Sequence, residues 1–577
     1  MRAVQFRLLH IGLLGGIAAS TLAVPAEGQG QTQEIPASTG ALPNRPATIT
    51  PVTPADLLAQ DGREWLTYHG DYSGRHFSPL EQIDLDNVAQ LDRAWVSETN
   101  PPFSRGGFAG PPELANRALA EPGPGRTTSN VGVRGPGEVR SAPLYRDGTL
   151  FYTIGQNAYA VDARTGRQQW HSIAQNTGGI SNRGLGLSGT TLFMMANGGL
   201  TALDAATGTE KWRVDTGATI VPYAPMVVGN RVYISGGSGQ GRTRAWLEAR
   251  DVDTGAQEWI WYATPFPGDE AADTWPSVES MAEGGGSPWQ PLTYDPATNL
   301  VYFGTGNADP MKDGRSRLGD NLYTSTIMAL DAASGRMAWH FQATPHDDHD
   351  YDATQVTVLF EAQVDGRQRQ LLGLAGRNGY FILLDRVTGE NLLTRKIFEE
   401  VNWSRYNRPN GSPEPQLEKS PQPGGALVFP SSEGVTNWPA PSFSPQSGLF
   451  YFNAVRSYSM FYPDGDEYFI GSYRNSLRAL DPVSGDTVWS HDYPEPYGIH
   501  ARYPGVLTTA GGLLFTGDMS GNVVAFDAAS GAILWHDELP LNAVSNAPIT
   551  FELDGRQYVV VGSGQQLVAY ALPREGE

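Results

Sequence analysis

Apolar residues along this chain fall in short alternating or continuous runs bounded by Gly, Asn, Asp or Pro. Residues 150–154 (LFYTI) and 231–235 (RVYIS) are two such runs. Runs of this length, rich in Val, Ile, Tyr and Phe and bounded by turn residues, are typical of β-strands. The 3.6-residue periodicity of an amphipathic helix is nearly absent. The pattern therefore predicts an all-β protein made of short strands joined by tight turns.

A single turn phrase follows these strands again and again. Its first position is Ala, its second is usually hydrophobic, and its third is Asp. Two variable residues follow, then Thr or Ser, then Gly, and a Trp stands four residues after the Gly. Asp can hydrogen-bond to its own backbone and Gly can adopt a positive φ, so the phrase predicts a tight turn between two strands. A large aromatic at a fixed place in each unit can fill the wedge between neighbouring sheets. The full copies begin at Ala160, Ala202, Ala249, Ala329, Ala479 and Ala525 and end at Trp170, Trp212, Trp259, Trp339, Trp489 and Trp535.

A seventh, weaker copy of the phrase covers residues 383–389 and has no Trp after it. A strand-built unit that returns about every 40–50 residues is typical of a propeller, in which four-stranded blades surround an axis. The alternative is a sandwich of unrelated hairpins. The joint recurrence of turn and Trp favours the propeller.

The N-terminus predicts export. Arg2 and Arg7 precede an apolar run from Leu8 to Val24, and residues 24–26 (VPA) form a cleavage site, so residues 1–26 are predicted to be a signal peptide. A retained membrane anchor is the alternative. Residues 27–58, rich in Pro, Thr, Gln and Ala, are predicted to be a flexible lead-in, and residues 59–577 to be the propeller. We expect a periplasmic protein with no membrane span once the signal is removed.

Composition narrows the function classes. The chain has no Cys, which excludes disulfides, Cys-ligated zinc and a covalently attached c-type haem. Its formal net charge of −21 argues against binding nucleic acid and favours cationic partners.

Several motifs go beyond a generic propeller, and together they resemble the PQQ-dependent alcohol dehydrogenases (quinoproteins). The resemblance implies an eight-bladed propeller with pyrroloquinoline quinone (PQQ) and a metal ion near its axis. The eighth blade would be closed by the region around residues 91–95 together with the C-terminal strands. The motifs are WLTYHGD at 65–71 with RHFSPL at 75–80, GTGN at 304–307 with GDNLYT at 319–324, TPHDDHDYD at 344–352, and RNGY at 377–380.

The resemblance also implies roles for individual residues. Asp350 matches the catalytic base that takes the alcohol proton. Trp289 matches the aromatic floor under the quinone. The cationic contacts match Arg183 and Arg377, whose guanidinium groups suit the three carboxylates of PQQ. Further cofactor contacts match Asn437, Ser238 and Tyr503, the last standing where the family usually has Trp.

The metal site departs from the family pattern. Where the family has a metal-binding Glu, this chain has Gln240, which keeps one carbonyl oxygen but no charge. Asp352 stands at a place that is acidic in the lanthanide-using branch of the family. A site of Gln240, Asn307, Asp350 and Asp352 would carry the same charge as a family calcium site, and hard cations take oxygen ligands of matched charge. We expect Ca²⁺, with a lanthanide or a site that has lost its metal as the alternatives.

These features predict a dehydrogenase that oxidises a small-molecule alcohol to an aldehyde or ketone. His349 stands beside the predicted base where the family often has Trp, which favours an alcohol bulkier or more polar than methanol. Electrons would pass to an external acceptor such as a soluble cytochrome c or a quinone, since the chain has no haem motif. The alternatives are a non-catalytic scaffold of the outer-membrane assembly type and a sugar or polyol quinoprotein dehydrogenase.

Overall fold

The computed structural model describes residues 45–59, 61–99, 138–172, 183–196, 198–217, 223–237, 243–493, 504–518, 521–539 and 544–574. Within these ranges the strands form eight sheets of four or five strands and one separate two-stranded ribbon. The eight sheets are the blades of an eight-bladed propeller, and each is numbered by its place along the chain. The predicted fold class is thereby confirmed.

In each blade the main strands follow one another in the chain and pair with antiparallel neighbours. Blades seven and eight each add an early strand: Phe77–Ser78 pairs in parallel with Leu507–Thr509, and Asp92–Val96 pairs antiparallel with Gln566–Ala571. Blade one is Leu144–Arg146, Thr149–Ile154, Asn157–Asp162 and Gln168–Ser172; blade two is Gly186–Ser188, Thr191–Ala196, Gly199–Asp204 and Glu210–Asp215; blade three is Met226–Val228, Arg231–Gly236, Trp246–Asp251 and Gln257–Tyr262; blade four is Thr293–Asp295, Leu300–Gly304, Thr326–Asp331 and Met337–Gln342. Blade five is Val358–Val364, Arg367–Ala375, Tyr380–Asp385 and Asn391–Lys396; blade six is Ala426–Val428, Ser442–Phe443, Phe450–Phe461, Glu467–Leu480 and Thr487–Tyr493; blade seven is Leu507–Thr509, Leu513–Gly517, Asn522–Asp527 and Ile533–Glu538, joined by Phe77–Ser78; blade eight is Ile549–Leu553, Arg556–Ser563, Gln566–Ala571 and Asp92–Val96.

Helical structure is confined to short connections. The ribbon pairs Ser404–Asn407 with Pro413–Pro415. The α-helices of the described residues are Pro54–Leu58 and Val278–Ala282, and the 3₁₀ turns are Val88–Gln90, Glu270–Thr274, Gly314–Ser316, Leu417–Lys419 and Pro463–Gly465.

Both ends of the chain contribute to blade eight, as predicted. Strand Asp92–Val96 pairs with Gln566–Ala571, with Asp92 opposite Ala571 and Val96 opposite Val568. An early strand therefore closes a sheet whose other strands come last. This pairing covers a sheet edge that would otherwise be open to a second chain.

The turn phrase folds as its residues predict. In the first copy, the Asp162 carboxylate accepts the backbone N–H groups of Arg164 at 2.8 Å and Thr165 at 3.1 Å, and Gly166 has a φ of 71°. The Trp that ends each of five copies lies against the Gly of the turn in the following blade, and Trp95 of blade eight lies against Gly166 of blade one in the same way, so that a methyl group on that Gly would collide with the indole. The pairs are Trp95 with Gly166, Trp170 with Gly208, Trp212 with Gly255, Trp259 with Gly335, Trp339 with Gly389 and Trp489 with Gly531.

The weaker copy of the phrase keeps this contact with a different side chain. Leu393 stands four residues after Gly389, where the other copies have Trp. A Cβ on Gly485 of blade six would lie 3.0 Å from Cδ2 of Leu393. An aliphatic side chain therefore takes the place of the indole at this one blade junction.

The predicted lead-in is wrong for its last part. Residues 45–58 pack on the propeller: Val52 pairs with Gly189 of blade two, and Val52 and Leu57 are buried in the core. Thr53 caps helix Pro54–Leu58 through a hydrogen bond from the Asp56 amide. The earlier lead-in and the predicted signal peptide lie outside the described residues. In the described part of the chain, no helix has the length and apolar character to cross a membrane.

Candidate active site

The loop between blades four and five carries the predicted base. Asp350 has a φ of 69°, in the left-handed region that non-glycine residues seldom occupy. The Asp347 carboxylate holds this turn, because it accepts the N–H groups of His349 at 3.1 Å and Tyr351 at 2.8 Å. Ser325 donates its hydroxyl to the same carboxylate at 3.1 Å. Asp347 is buried, so its hydrogen bonds fix the backbone on both sides of Asp350.

Asp347→Ala is expected to lower the free energy of unfolding by about 2–4 kcal/mol, because it leaves buried donors without an acceptor. Urea denaturation of the metal-free protein measures this. Asp253→Ala, at an exposed turn position, is the matched control and should change stability by less than about 0.5 kcal/mol. Equal denaturation midpoints for the two variants would show that Asp347 does not hold the loop.

Arg377 lies at the centre of the site. It follows strand Arg367–Ala375 of blade five and is buried. Its Nη2 lies 2.8 Å from Oδ2 of Asp350 and its Nη1 lies 2.8 Å from Oδ2 of Asp352. Its Nε donates to the backbone carbonyl of Ser432 at 2.8 Å. Each nitrogen of the planar guanidinium therefore has a defined partner, which fixes the group relative to both carboxylates.

Asp352 joins several of the predicted site residues. Its Oδ1 accepts the backbone N–H of Asn307 at 2.6 Å, and its Oδ2 accepts the indole N–H of Trp289 at 2.9 Å as well as Nη1 of Arg377. Asn307 follows strand Leu300–Gly304 of blade four. Asp352 thus fixes the Trp289 ring and the Asn307 backbone on one side of Arg377.

The two carboxylates carry more negative charge than Arg377 balances. Burial is the main reason why the pKa of Asp350 is raised well above its usual range, with Arg377 opposing the shift and Asp352 adding to it. Burial also raises the pKa of Asp352, again against the effect of Arg377. Two carboxylates that are largely shielded from water, one of them held to the Asn307 backbone, suit a hard cation with oxygen ligands. The residues present therefore fit the predicted metal.

Aromatic rings and a second guanidinium lie next to this network. Cζ of Arg183 is 5.0 Å from the ring centre of Trp289 and 4.5 Å from that of Trp438. Such cation–π contacts hold a buried guanidinium against an aromatic face. Asn437 precedes Trp438 and lines a narrow cleft of about 30 Å³ together with Gln355. An aromatic ring and two guanidinium groups are the chemistry that a flat anionic cofactor such as PQQ would need.

His349 forms a buried pair beside the predicted base. Its Nδ1 lies 2.8 Å from Oδ1 of Asp348, and its Nε2 lies 2.8 Å from the carbonyl of Lys419. Burial disfavours the imidazolium, but the Asp348 carboxylate outweighs it and raises the pKa of His349. Burial likewise acts to raise the pKa of Asp348, and His349 holds it at about 2. Both ring nitrogens of His349 therefore have a partner, and these contacts hold the loop that carries Asp350.

The structure brings five predicted residues into one hydrogen-bonded network, and Arg183 contacts it through Trp289. The five are Asp350, Asp352, Asn307, Trp289 and Arg377. Asn437 lies near it, next to Trp438. Gln240, Ser238 and Tyr503 lie outside the described residues. Over the described ranges, no three His, Cys, Asp or Glu side chains are grouped as a metal site, so the predicted ligand set depends on amide oxygens.

Sequence reasoning did not identify three residues that support this site. Asp347 belongs to the acidic run 347–352, and its place in that run was the available signal. Ser432, which contacts Arg377, and Glu467, which contacts Ser432, have no local signal, because they come from distant segments of the chain.

Comparisons with known proteins agree with this geometry. The sequence model of the glucose/ethanol/alcohol dehydrogenase beta-propeller domain (PQQ) matches residues 65–190 and 216–401. The model of outer membrane protein assembly factor BamB matches residues 131–282 and 473–576. Quinohemoprotein alcohol dehydrogenase ADH IIB of Pseudomonas putida is 33% identical over 88% of this chain and 74% of its own length.

Solved structures show the same likeness over most of the chain. The crystal structure of quinohemoprotein alcohol dehydrogenase from Comamonas testosteroni has a TM-score of 0.77 at 28% identity, over 91% of this chain and 84% of that one. A europium-containing methanol dehydrogenase has a TM-score of 0.73 at 26% identity, over 90% of this chain and 99% of that one.

The eight-bladed propeller and these matches define the class of the protein as a quinoprotein dehydrogenase. This chain belongs to the PQQ-dependent alcohol dehydrogenase family and is an oxidoreductase.

Proposed function

We propose that this protein is a periplasmic PQQ- and metal-dependent dehydrogenase that oxidises an alcohol to an aldehyde or ketone, with Asp350 as general base. The observation that carries the proposal is the hydrogen-bonded network of Asp350, Arg377, Asp352, Trp289 and Asn307. Family membership supports the cofactor and the reaction class.

Each residue has a separate task in this proposal. Asp350 accepts the hydroxyl proton of the alcohol on its carboxylate. Arg377 orients that carboxylate through Nη2, and Asp352 fixes the Trp289 ring as a flat floor. Asn307, Asp350 and Asp352, with Gln240, would hold the cation. When bound, PQQ supplies the hydride acceptor and the cation polarises it.

The burial of the site suits this role. Burial raises the pKa of the Asp350 carboxyl, and a bound cation, like Arg377, would lower it and so favour the ionised base. A base held by a guanidinium on one side can still present its other oxygen to a substrate hydroxyl. His349, which precedes the base in the sequence where the family often has Trp, supports an alcohol that is bulkier or more polar than methanol.

We further propose that electrons leave to an external acceptor, such as a soluble cytochrome c or a quinone. The P. putida relative is named a quinohemoprotein, and the match leaves about a quarter of its length uncovered. The 577 residues here contain no Cys to attach a c-type haem. A net charge of −21 suits encounter with a basic carrier.

Reconstitution with PQQ and a metal tests the function. In the presence of Ca²⁺, binding of PQQ should quench the tryptophan fluorescence of the purified protein. The reconstituted protein should then reduce a dye when primary, secondary or cyclic alcohols are added. Activity with La³⁺ alone would replace Ca²⁺ by a lanthanide in the metal assignment. The acidic Asp352 and the likeness to a europium-containing enzyme are compatible with that outcome. Failure to take up PQQ with either metal would reject the dehydrogenase and leave the non-catalytic scaffold.

A further inference from the structure

A line of contacts leads from Arg377 to a buried ion pair that has no place in the proposed chemistry. The Ser432 carbonyl accepts Nε of Arg377 at 2.8 Å. The backbone N–H of Ser432 donates to Oε1 of Glu467 at 3.0 Å, and the Ser432 hydroxyl donates to the same carboxylate. Nζ of Lys312 lies 2.6 Å from Oε2 of Glu467. Glu467 therefore accepts hydrogen bonds from Ser432, and Ser432 in turn accepts a hydrogen bond from Arg377.

The contacts tie together three segments that are far apart in the sequence. Lys312 lies five residues after Asn307, in the connection between the second and third strands of blade four. Ser432 lies in the connection between the first two strands of blade six. Glu467 begins strand Glu467–Leu480, directly opposite Phe461 across the long hairpin of the same blade. One carboxylate thus joins the loop that carries Asn307 to the connection that contacts Arg377.

The pair is shielded from water, unlike most ion pairs of the chain. The side chains of Lys312 and Glu467 are 16% and 5% exposed, whereas those of Arg405 and Glu418, another pair among the connections of blades five and six, are 50% and 65% exposed. Charges that are screened little by solvent interact strongly, and removing one partner leaves the other as an unpaired charge shielded from water. An exposed pair contributes little.

The connection around Ser432 also packs directly on Arg377. The N–H of Val435 donates to the Arg377 carbonyl at 3.0 Å. Gly434 has a φ of 78°, and a Cβ there would collide with the Arg377 side chain. Because the guanidinium is a rigid plane, the carbonyl that accepts Nε also sets the direction of both Nη atoms. A shift of Ser432 would therefore turn Arg377 away from Asp350 and Asp352.

We propose that Glu467, paired with Lys312, is a positioning residue: it fixes the Ser432 carbonyl and through it the orientation of Arg377 toward the two carboxylates. The inference rests on the proposed function for the roles of Arg377 and Asp350, but its structural part stands on the contacts alone. Residues that orient a catalytic group through one intermediate typically change activity by about 10- to 100-fold when replaced.

The test uses Glu467→Gln, Lys312→Met and the double variant in the full-length protein. Each single variant is expected to lower kcat per bound PQQ by about 10- to 100-fold with KM within about twofold. The Lys312 charge also acts on Asp350, so Glu467→Gln is the deciding variant, and the double variant should be no worse than Lys312→Met, which already removes the ion pair. Crystal structures should show the Arg377 Nε to Ser432 carbonyl contact broken or lengthened in the variants. Glu418→Gln and Arg405→Met, at the exposed pair, should leave every one of these quantities unchanged.

Two results would overturn the inference. One is a lowered melting temperature with unchanged kcat per bound PQQ, which would leave only a structural role. The other is an unmoved Arg377 in the crystal structure of Glu467→Gln. If the unaltered protein does not bind PQQ, the proposed function fails, while the position of Arg377 in the variant structures still decides the inference.

Discussion

Asp350→Asn is expected to lower kcat by about 10³-fold at saturating metal and PQQ, because an amide cannot accept the alcohol proton. The change is nearly isosteric, and the side-chain oxygen of Asn can still accept Nη2 of Arg377, which lies 2.8 Å from the carboxylate in this structure. Steady-state dye reduction gives kcat, and fluorescence quenching gives the PQQ affinity, which we expect to stay within a few-fold. The expected pattern is therefore a bound cofactor without turnover.

The control for this prediction is Asp253→Asn, which makes the same chemical change at an exposed turn. It should keep full activity. A tenth or more of the original kcat in Asp350→Asn would exclude Asp350 as the general base. Loss of PQQ binding in that variant would instead indicate that Asp350 acts mainly in assembling the site.

Gly208→Ala is expected to cost about 2–5 kcal/mol of unfolding free energy. Gly208 has a φ of 71°, which costs a residue with a Cβ about 1–2 kcal/mol, and the added methyl would collide with the Trp170 indole of the preceding blade. Overpacking a rigid contact adds about 1–3 kcal/mol. Thermal or urea denaturation measures the loss.

Gly366→Ala separates the two contributions. Gly366 has a φ of 73°, and nothing lies within 4 Å of a Cβ built on it. It should therefore show only the backbone cost of about 1–2 kcal/mol. If the two variants were equally stable, the contact between Trp170 and Gly208 would contribute nothing to the junction between the blades.

Much of the fold was predictable because its determinants are local. The turn phrase contains the Asp that accepts the turn N–H groups, the Gly that adopts positive φ and the Trp that docks on the next blade. Each unit needs only its neighbour, so a repeat that is visible in the sequence specifies the ring. The packing of residues 45–58 was missed, because their Pro-rich composition resembles a linker while Val52 and Leu57 supply the buried contacts.

The candidate site was predictable only in part. Its motifs singled out Asp350, Asp352, Asn307, Trp289 and Arg377, but they did not specify which side chain meets which. Asp352 was predicted to be a metal ligand, and in the structure it also accepts hydrogen bonds from three donors.

The sequence by itself determined the blades, the turns and the docking Trp residues, because these depend on residues within one unit or in the next. Only the tertiary structure brought Glu467 and Lys312 to the Ser432 connection that contacts Arg377. Glu467 lies 35 residues from Ser432 and 155 residues from Lys312 in the sequence. Their contacts form where loops from different blades meet, and the repeating turn phrase in the sequence does not specify which loops come together. The orientation of the guanidinium is therefore a property of the closed ring.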